Sequence, residues 1–257
     1  MVVLHKVLLF IGLFFLCTQC TPSKKINSKA APINHELWTT VLQEYVSDDG
    51  AVNYRDLKEN RTQFDEYIQL LSSNHPNKKW SDDEQLAYWI NAYNAFTIQI
   101  MIDNYPLASI KDIADGLKIP FVSTTWDIKF INIEGNEYDL NNIEHGIIRK
   151  DFEEPRIHFA VNCASKSCPK LLNEAFTAER LNEQLDQVAK GFINNPKKNK
   201  ITADKAEVSS IFNWFKGDFT KSKDIGSVRE FINQYANTKI NEGTKISYLD
   251  YDWTVNE

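Results

Sequence analysis

"WSDDEQLAYWINAYNAFTIQIMIDNYP", residues 80–106, decides how the rest of the chain must fold. Ser81 and Glu84 stand at capping-box spacing, and the acidic residues beside them suit the first turn of a helix. Pro106 ends the segment, because the residue before a proline is pushed out of helical geometry. Between these signals Leu86, Ala87, Trp89, Ile90, Ala92, Tyr93, Ala95, Phe96 and Ile98 leave almost no polar face. A helix apolar nearly all round belongs in the centre of a fold. Asn91 and Asn94, three positions apart, share one of its faces. Buried amides need partners. Either the two asparagines clamp the backbone of a neighbouring loop, or they face a polar cleft.

Working outward, "HELWTTVLQEYV" (35–46) carries Leu37, Val41 and Tyr45 at helical spacing. "DDGAVNY" follows as a turn and a short extended piece. Asn53 can cap a helix running through "YRDLKENRTQFDEYIQLLSS" (54–73). Beyond the central segment, "WDIKFINI" (126–133) and "NEYDL" (136–140) read as a hairpin around a Gly-Asn turn. "LNNIEHGIIRKDF" (140–152) reads as a short helix, and "RIHFAVNC" (156–163) as a strand apolar enough to be central. A helix headed by Thr177, two short strands in "NKITADKAEVSSIF" (199–212), a last helix in "SVREFINQYA" (227–236) and an extended, aromatic tail complete the chain. Helices come first and antiparallel-type strands follow, which predicts an α+β fold with the central helix packed on a mostly antiparallel sheet.

The net charge of −6 and the absence of a long basic stripe exclude a nucleic-acid partner. The one basic run, "NPKKNK" (195–200), reads as a solvated turn. At the N-terminus His5 and Lys6 precede the apolar run "VLLFIGLFFLC" (7–17), of signal-peptide length. "LCTQC" closes that run, and a polar stretch follows. This anatomy resembles a bacterial lipoprotein signal over residues 1–20, with Cys20 acylated as the first mature residue. An ordinary signal peptide cut nearby, or an uncleaved anchor, is the other reading. Residues 21–34 then form a flexible tether, and residues 35–257 a single globular domain. The implied location is the bacterial outer membrane or periplasm, with the membrane as partner through the lipid.

Export leaves Cys163 and Cys168 as the thiols of the mature chain. Outside the cytoplasm they can persist as a disulfide, or stand as one nucleophile and one packed cysteine. His158 and Cys163 mark the two ends of the expected strand. Alternation along a strand would point them to opposite faces, so pairing them requires a bulge near Asn162. His145, beside Glu144 and one turn before Arg149, can reach Cys163 from another element. Imidazole takes a thiol proton near neutral pH, which is the chemistry of a Cys–His site. Against this stands the ordinary role of a core histidine, a hydrogen-bonded structural residue. In "NCASKSCP" (162–169) Lys166 can lower a nearby thiol pKa, Ser165 and Ser167 can bond local backbone, and Pro169 opens a turn. No CxxC or HxxxH spacing suggests a metal, and no phosphate loop, dinucleotide fingerprint or GxSxG elbow suggests a cofactor or a serine nucleophile.

"YWINAYNAFTI", "IEHGIIR", "RIHFAVNCASKSCPKL", "SSIFNWFKGDF" and "YLDYDW" together resemble the family catalogued as domain of unknown function 547, over about residues 50–253. That family occurs in bacteria and plants. It is grouped by remote similarity with papain-like and transglutaminase-like cysteine-peptidase folds, which implies a central helix on an antiparallel sheet. In those folds the nucleophilic cysteine begins the central helix. Here that helix carries Asn91 and Asn94 instead, and Cys163 follows both His145 and His158. Two functions are therefore expected. In the first, Cys163 is the nucleophile of acyl transfer or amide hydrolysis on peptide or cell-wall material. His145 or His158 is then the base, with Glu144 beside it, and Asn91 or Asn94 orients the base or donates to an oxyanion. In the second, the domain is a non-catalytic binding or scaffold module, with Cys163 and Cys168 disulfide-bonded and the asparagines structural.

Overall fold

Among the described residues, three helices precede the central one. The computed structural model describes residues 28–117, 123–221 and 225–257, so the expected signal, Cys20 and the start of the tether lie outside it. Residues 28–34, read from sequence as tether, lie against the domain: the Ala30 carbonyl accepts from Trp80 Nε1 and Asn77 Nδ2, both at 2.8 Å. Helix α1 (Glu36–Tyr45) buries Trp38, Val41, Leu42 and Tyr45 at three- and four-residue spacing. Gly50 turns the chain after it with φ +87°. A side chain there would meet Lys170 and the Leu171 backbone at 2.8 to 3.0 Å, so glycine admits the segment that follows the cysteine loop.

The long helix expected over residues 54–73 is two helices, α2 (Tyr54–Glu59) and α3 (Thr62–Ser72). Asn53 caps α2 as expected, accepting from the Asp56 amide. The break falls at Asn60, whose side chain bonds back to the Asp56 carbonyl while Tyr45 donates to its own carbonyl. Local side-chain bonding of this kind competes with helix propagation.

Helix α4 (Asp82–Asn104) is the centre of the molecule, opened by the Ser81–Glu84 capping box. Every residue from Leu86 to Ile98 is buried. Its principal neighbours are α2, α3 and a π-helix at Asn142–Ile148, rather than a sheet. After α5 (Asp112–Leu117), strands β1 (Ile131–Ile133) and β2 (Asn136–Tyr138) form an antiparallel hairpin. Its turn is Glu134–Gly135, one residue earlier than the expected Gly-Asn, with φ of 47° and 75°. The π-helix runs on into α6 (Arg149–Asp151).

The expected central strand at 156–163 does not exist. Pro155–Phe159 is a 3-10 helix, with Pro155 at its start and the Glu154 side chain capping the Arg156 amide. Residues 157–162 are all buried, so the segment is enclosed on every side and presents no strand-like alternation. The remaining elements are α7 (Leu181–Ile193), β3 (Lys200–Ile201), β4 (Ala206–Ser209), α8 (Ile211–Trp214), α9 (Lys216–Phe219), α10 (Val228–Tyr235) and β5 (Ile246–Leu249). β4 pairs antiparallel with β3 and parallel with β5. The fold is α+β, as expected, but it is mainly helical, and among the described residues its two sheets are small.

Phe159 ties this half together. Its ring lies 5.1 to 6.1 Å from Phe192 of α7, Phe212 of α8, Phe219 of α9 and Phe231 of α10. Full burial of each such ring contributes on the order of 1.5–3 kcal/mol. Among the described residues no helix is long and apolar enough to cross a membrane.

Candidate functional site

Asn94 and Asn162 determine where the cysteine loop lies. Asn94 donates to the Ala160 carbonyl at 2.9 Å and accepts from the Asn162 amide at 2.8 Å. Asn162 in turn donates to the Pro169 carbonyl and accepts from the Ala164 amide, spanning the mouth of the loop. Ala164 takes a left-handed conformation, φ 56°, at the point where the chain reverses. The loop's far side pairs with the C-terminal segment through Lys166 to Thr254 and Ser167 to Asp252. Within this frame Cys163 and Cys168 form a disulfide, with Cα atoms 6.1 Å apart. Cys163 Sγ lies 3.2 Å from the Tyr251 hydroxyl and 3.3 Å from Ser165 Oγ. Neither imidazole is bonded to it among the described residues.

Asn91 makes the same kind of clamp one turn earlier, donating to the Phe176 carbonyl and accepting from the Phe176 amide. Both asparagines therefore hold backbone, the first of the two roles open to them. Neither lines the pocket described next.

Cys163, Cys168, Glu144, His145 and His158 line one pocket of ≈ 170 Å³. Its walls are aromatic: Tyr93 of α4, Trp126, Trp214, Phe215, Tyr251 and Trp253. The π-helix supplies Glu144 and His145, adjacent residues that both reach the pocket. Such wide turns are frequent at functional sites. His158 is brought in by the 3-10 helix and is held flat against Phe215, with ring centroids 3.9 Å apart.

A polar chain joins the two imidazoles. His158 Nε2 donates to Asp218 Oδ2 at 2.7 Å, and no hydrogen bond to its Nδ1 is found among the described residues. Arg149 clamps the same carboxylate through Nε at 2.6 Å and Nη2 at 3.2 Å. Arg149 Nη1 reaches His145 Nδ1 at 3.0 Å, so a neutral His145 carries its proton on Nε2. Burial lowers the pKa of His158 against the pull of Asp218. Burial, then the Arg149 charge, lowers that of His145. Burial alone would raise Asp218, but the hydrogen bonds from His158 and Arg149 outweigh it and hold the carboxyl well below its usual range. Burial pushes Glu144 up to about 7, against a hydrogen bond from Tyr93 and the charge of Arg149. A carboxyl raised toward neutrality, beside imidazoles held neutral by burial, can exchange protons with a ligand.

The structure thus gathers Cys163, Cys168, Glu144, His145 and His158, and leaves Asn91 and Asn94 as scaffold. Sequence reading missed Asp218 and the aromatic wall. The signal for Asp218 was an acid inside the apolar run "FNWFKGDF" (212–219), where an unpaired carboxylate would be costly. The signal for the wall was the concentration of rings in "YLDYDW" (248–253). Among the described residues no three histidine, cysteine, aspartate or glutamate side chains converge to hold a metal ion.

No curated protein and no solved structure matches the chain. The family model described as protein of unknown function, DUF547, matches residues 77–193, a span that holds α4, the π-helix, His158 and the cysteine loop. The chain therefore contains a domain of unknown function 547 over those residues, with Trp214, Phe215, Tyr251 and Trp253 added to the pocket from beyond it and Asp218 standing behind His158.

Proposed function

We propose that the protein is an exported, lipid-anchored binding module whose ligand enters the aromatic-walled pocket, with the Cys163–Cys168 disulfide as a structural staple at its side. The observation that carries this reading is the use already made of the candidate groups. Each sulfur is bonded to the other, and both asparagine amides are committed to backbone. What remains open to a ligand is a pocket of ring faces, one buried carboxyl and two imidazoles. A disulfide suits a compartment outside the cytoplasm, in keeping with the apolar leader and Cys20. A buried central helix is consistent with kinship to the papain-like and transglutaminase-like folds.

Ligand-observed NMR of a fragment mixture against the oxidised protein tests the reading. Fragments that bind the wild type and are lost in Trp214→Ala are the expected result. A free thiol at Cys163, detected by alkylation of protein purified without reductant, overturns the staple.

A second reading is favoured by Cys163, His145 and His158 lining the same pocket. With the disulfide reduced by a dithiol, Cys163 thiolate attacks an acyl carbonyl and forms a thioester. The departing amine takes the proton that imidazole removed from the thiol. Water or a second amine then releases the acyl group. His158 is the base in this reading, oriented by Asp218, and His145 is the alternative. The substrate class is a peptide or cell-wall amide. Iodoacetamide rates against pH, measured on the reduced protein, support it if Cys163 titrates below the ordinary thiol value of about 8.5.

A further inference from the structure

We propose that the pocket's ligand carries an alkylammonium cation, held by the ring faces of Trp126, Trp214, Tyr251 and Trp253 and by the Glu144 carboxylate. The inference rests on the pocket being the functional site and names its ligand class.

Three observations converge on it. First, the rings form a continuous electron-rich wall. Trp214 and Tyr251 lie 4.8 Å apart, Tyr251 and Trp253 4.6 Å, and Trp126 and Trp253 5.7 Å. Trp214 is 48% exposed, so part of the wall is open to solvent. Aromatic faces attract cations, most strongly when these are poorly hydrated, as quaternary ammonium groups are. Second, the chain itself places an ammonium on this wall: Lys111 Nζ sits 4.0 Å from the Trp253 ring centroid.

Third, Glu144 is only 7% exposed yet has no lysine or arginine within ion-pair distance among the described residues. Its nearest basic neighbour is His145 Nδ1 at 3.7 Å, and that nitrogen faces Arg149 Nη1. Arg149 pairs with Asp218 and acts on Glu144 only at longer range, too weakly to offset its burial. The other groups acting on Glu144 are Tyr93 and Asp218, neither of which supplies positive charge. A buried acid without a fixed counter-ion, beside ring faces, disfavours anions and leaves a place for a cation. The ≈ 170 Å³ of space admits one head group rather than a stretch of polymer. An arriving cation would draw Glu144 into its ionised form, so affinity rises as pH increases through neutrality.

The test is a tryptophan-fluorescence titration of the oxidised protein at constant ionic strength. Choline is compared with 3,3-dimethylbutan-1-ol, its neutral isostere, and with n-butylammonium, which separates a quaternary source from the primary amine of a peptide. Saturable binding of either ammonium, at least roughly tenfold tighter than the alcohol, is expected. Glu144→Gln should cost about tenfold for the cation and little for the alcohol, and should flatten the pH dependence. Trp214→Ala, at an exposed ring, should weaken the cation without disturbing the fold. Equal affinity for choline and the alcohol overturns the cation and leaves the pocket as a binding site. Failure of both ammonium ions, while other fragments still bind in a Trp214-dependent way, does the same. No binding by any fragment overturns both readings.

Discussion

Asn94 pairs with Asn162 much as one strand pairs with the next: its side-chain carbonyl accepts the Asn162 amide at 2.8 Å, and its own amide donates to Ala160 at 2.9 Å. Asn162 then bridges Ala164 and Pro169. Two asparagines thereby fix a loop that has almost no regular secondary structure of its own. The position of both sulfurs follows from a side chain on α4.

Asn94→Ala should be among the most destabilising single changes on α4. It leaves the Ala160 carbonyl and the Asn162 amide buried without partners, at about 1–3 kcal/mol each. Chemical denaturation should show a loss on the order of 2–5 kcal/mol. Asn91→Ala, which releases only Phe176, should cost a similar amount and leave the cysteine loop in place. A loss below about 0.5 kcal/mol for Asn94→Ala would mean that the loop is held by other contacts.

The disulfide closes a short loop, its cysteines five positions apart. Chain-entropy reasoning gives about 2 kcal/mol for a loop of that length. The double variant Cys163→Ser/Cys168→Ser should therefore unfold at lower denaturant by about that amount, and reductant should no longer change its midpoint. The Asn94 and Asn162 bonds limit the loss, because they hold the same loop independently. A reductant effect on wild type much larger than the effect of the double substitution would point to a thiol with a role beyond stapling.

The central helix was legible because its ends are marked by chemistry, Ser81 with Glu84 at one end and Pro106 at the other, and its middle by composition. The helix at 36–45 was legible from periodicity, and those at 181–193 and 228–235 were read as helices too, although the first of these is headed by Arg180 and not by the expected Thr177. Period failed at 156–163, where His158, Ala160 and Asn162 are as buried as Ile157, Phe159 and Val161. A fully enclosed segment has no face to alternate, so apolar character alone did not separate a strand from a 3-10 turn. The pocket was half legible. Cys163, His145, His158 and Glu144 were identifiable by residue type, and they line the same pocket without either imidazole bonding the sulfur. Asp218 was not, because nothing local in the chain records that residues 149, 158 and 218 converge.

The Asp218 carboxylate is shared by His158 and Arg149. In Asp218→Asn the His158 imidazolium loses its acidic partner while its burial is unchanged, so its pKa should fall further. NMR titration of the ring protons checks this. Stability should drop by about 1–3 kcal/mol, a figure below that for a fully buried pair because Asp218 and Arg149 are each partly exposed. An unchanged His158 titration would show that the 2.7 Å bond does not persist in solution.

His35 and Glu144 should tilt stability with pH in opposite directions. His35 is buried with Nδ1 at 2.7 Å from the Tyr67 hydroxyl, and burial lowers its pKa from 6.5 to about 4, against the charge of Glu179. Between those values the unfolded chain binds more protons than the folded one, so this group's contribution is complete above 6.5 and is lost as pH falls toward 4. Glu144 is raised from 4.5 to about 7 by burial. There the folded chain holds the extra proton, so its contribution is complete below 4.5 and is lost as pH rises toward 7. Each shift is worth about 3 kcal/mol. In the wild type the two slopes oppose one another across the shared window, with the lowered His145 and His158 adding to that of His35, and single substitutions shift the balance. Glu144→Gln should make stability climb with pH until the His35 contribution is complete. His35→Phe should shift the slope toward decline relative to the wild type across the same range. Denaturant midpoints collected from roughly pH 4.5 to 7.5 separate the cases. Parallel curves for the two variants would contradict the burial of one group or the other, and an undiminished decline in Glu144→Gln would remove Glu144 as its source.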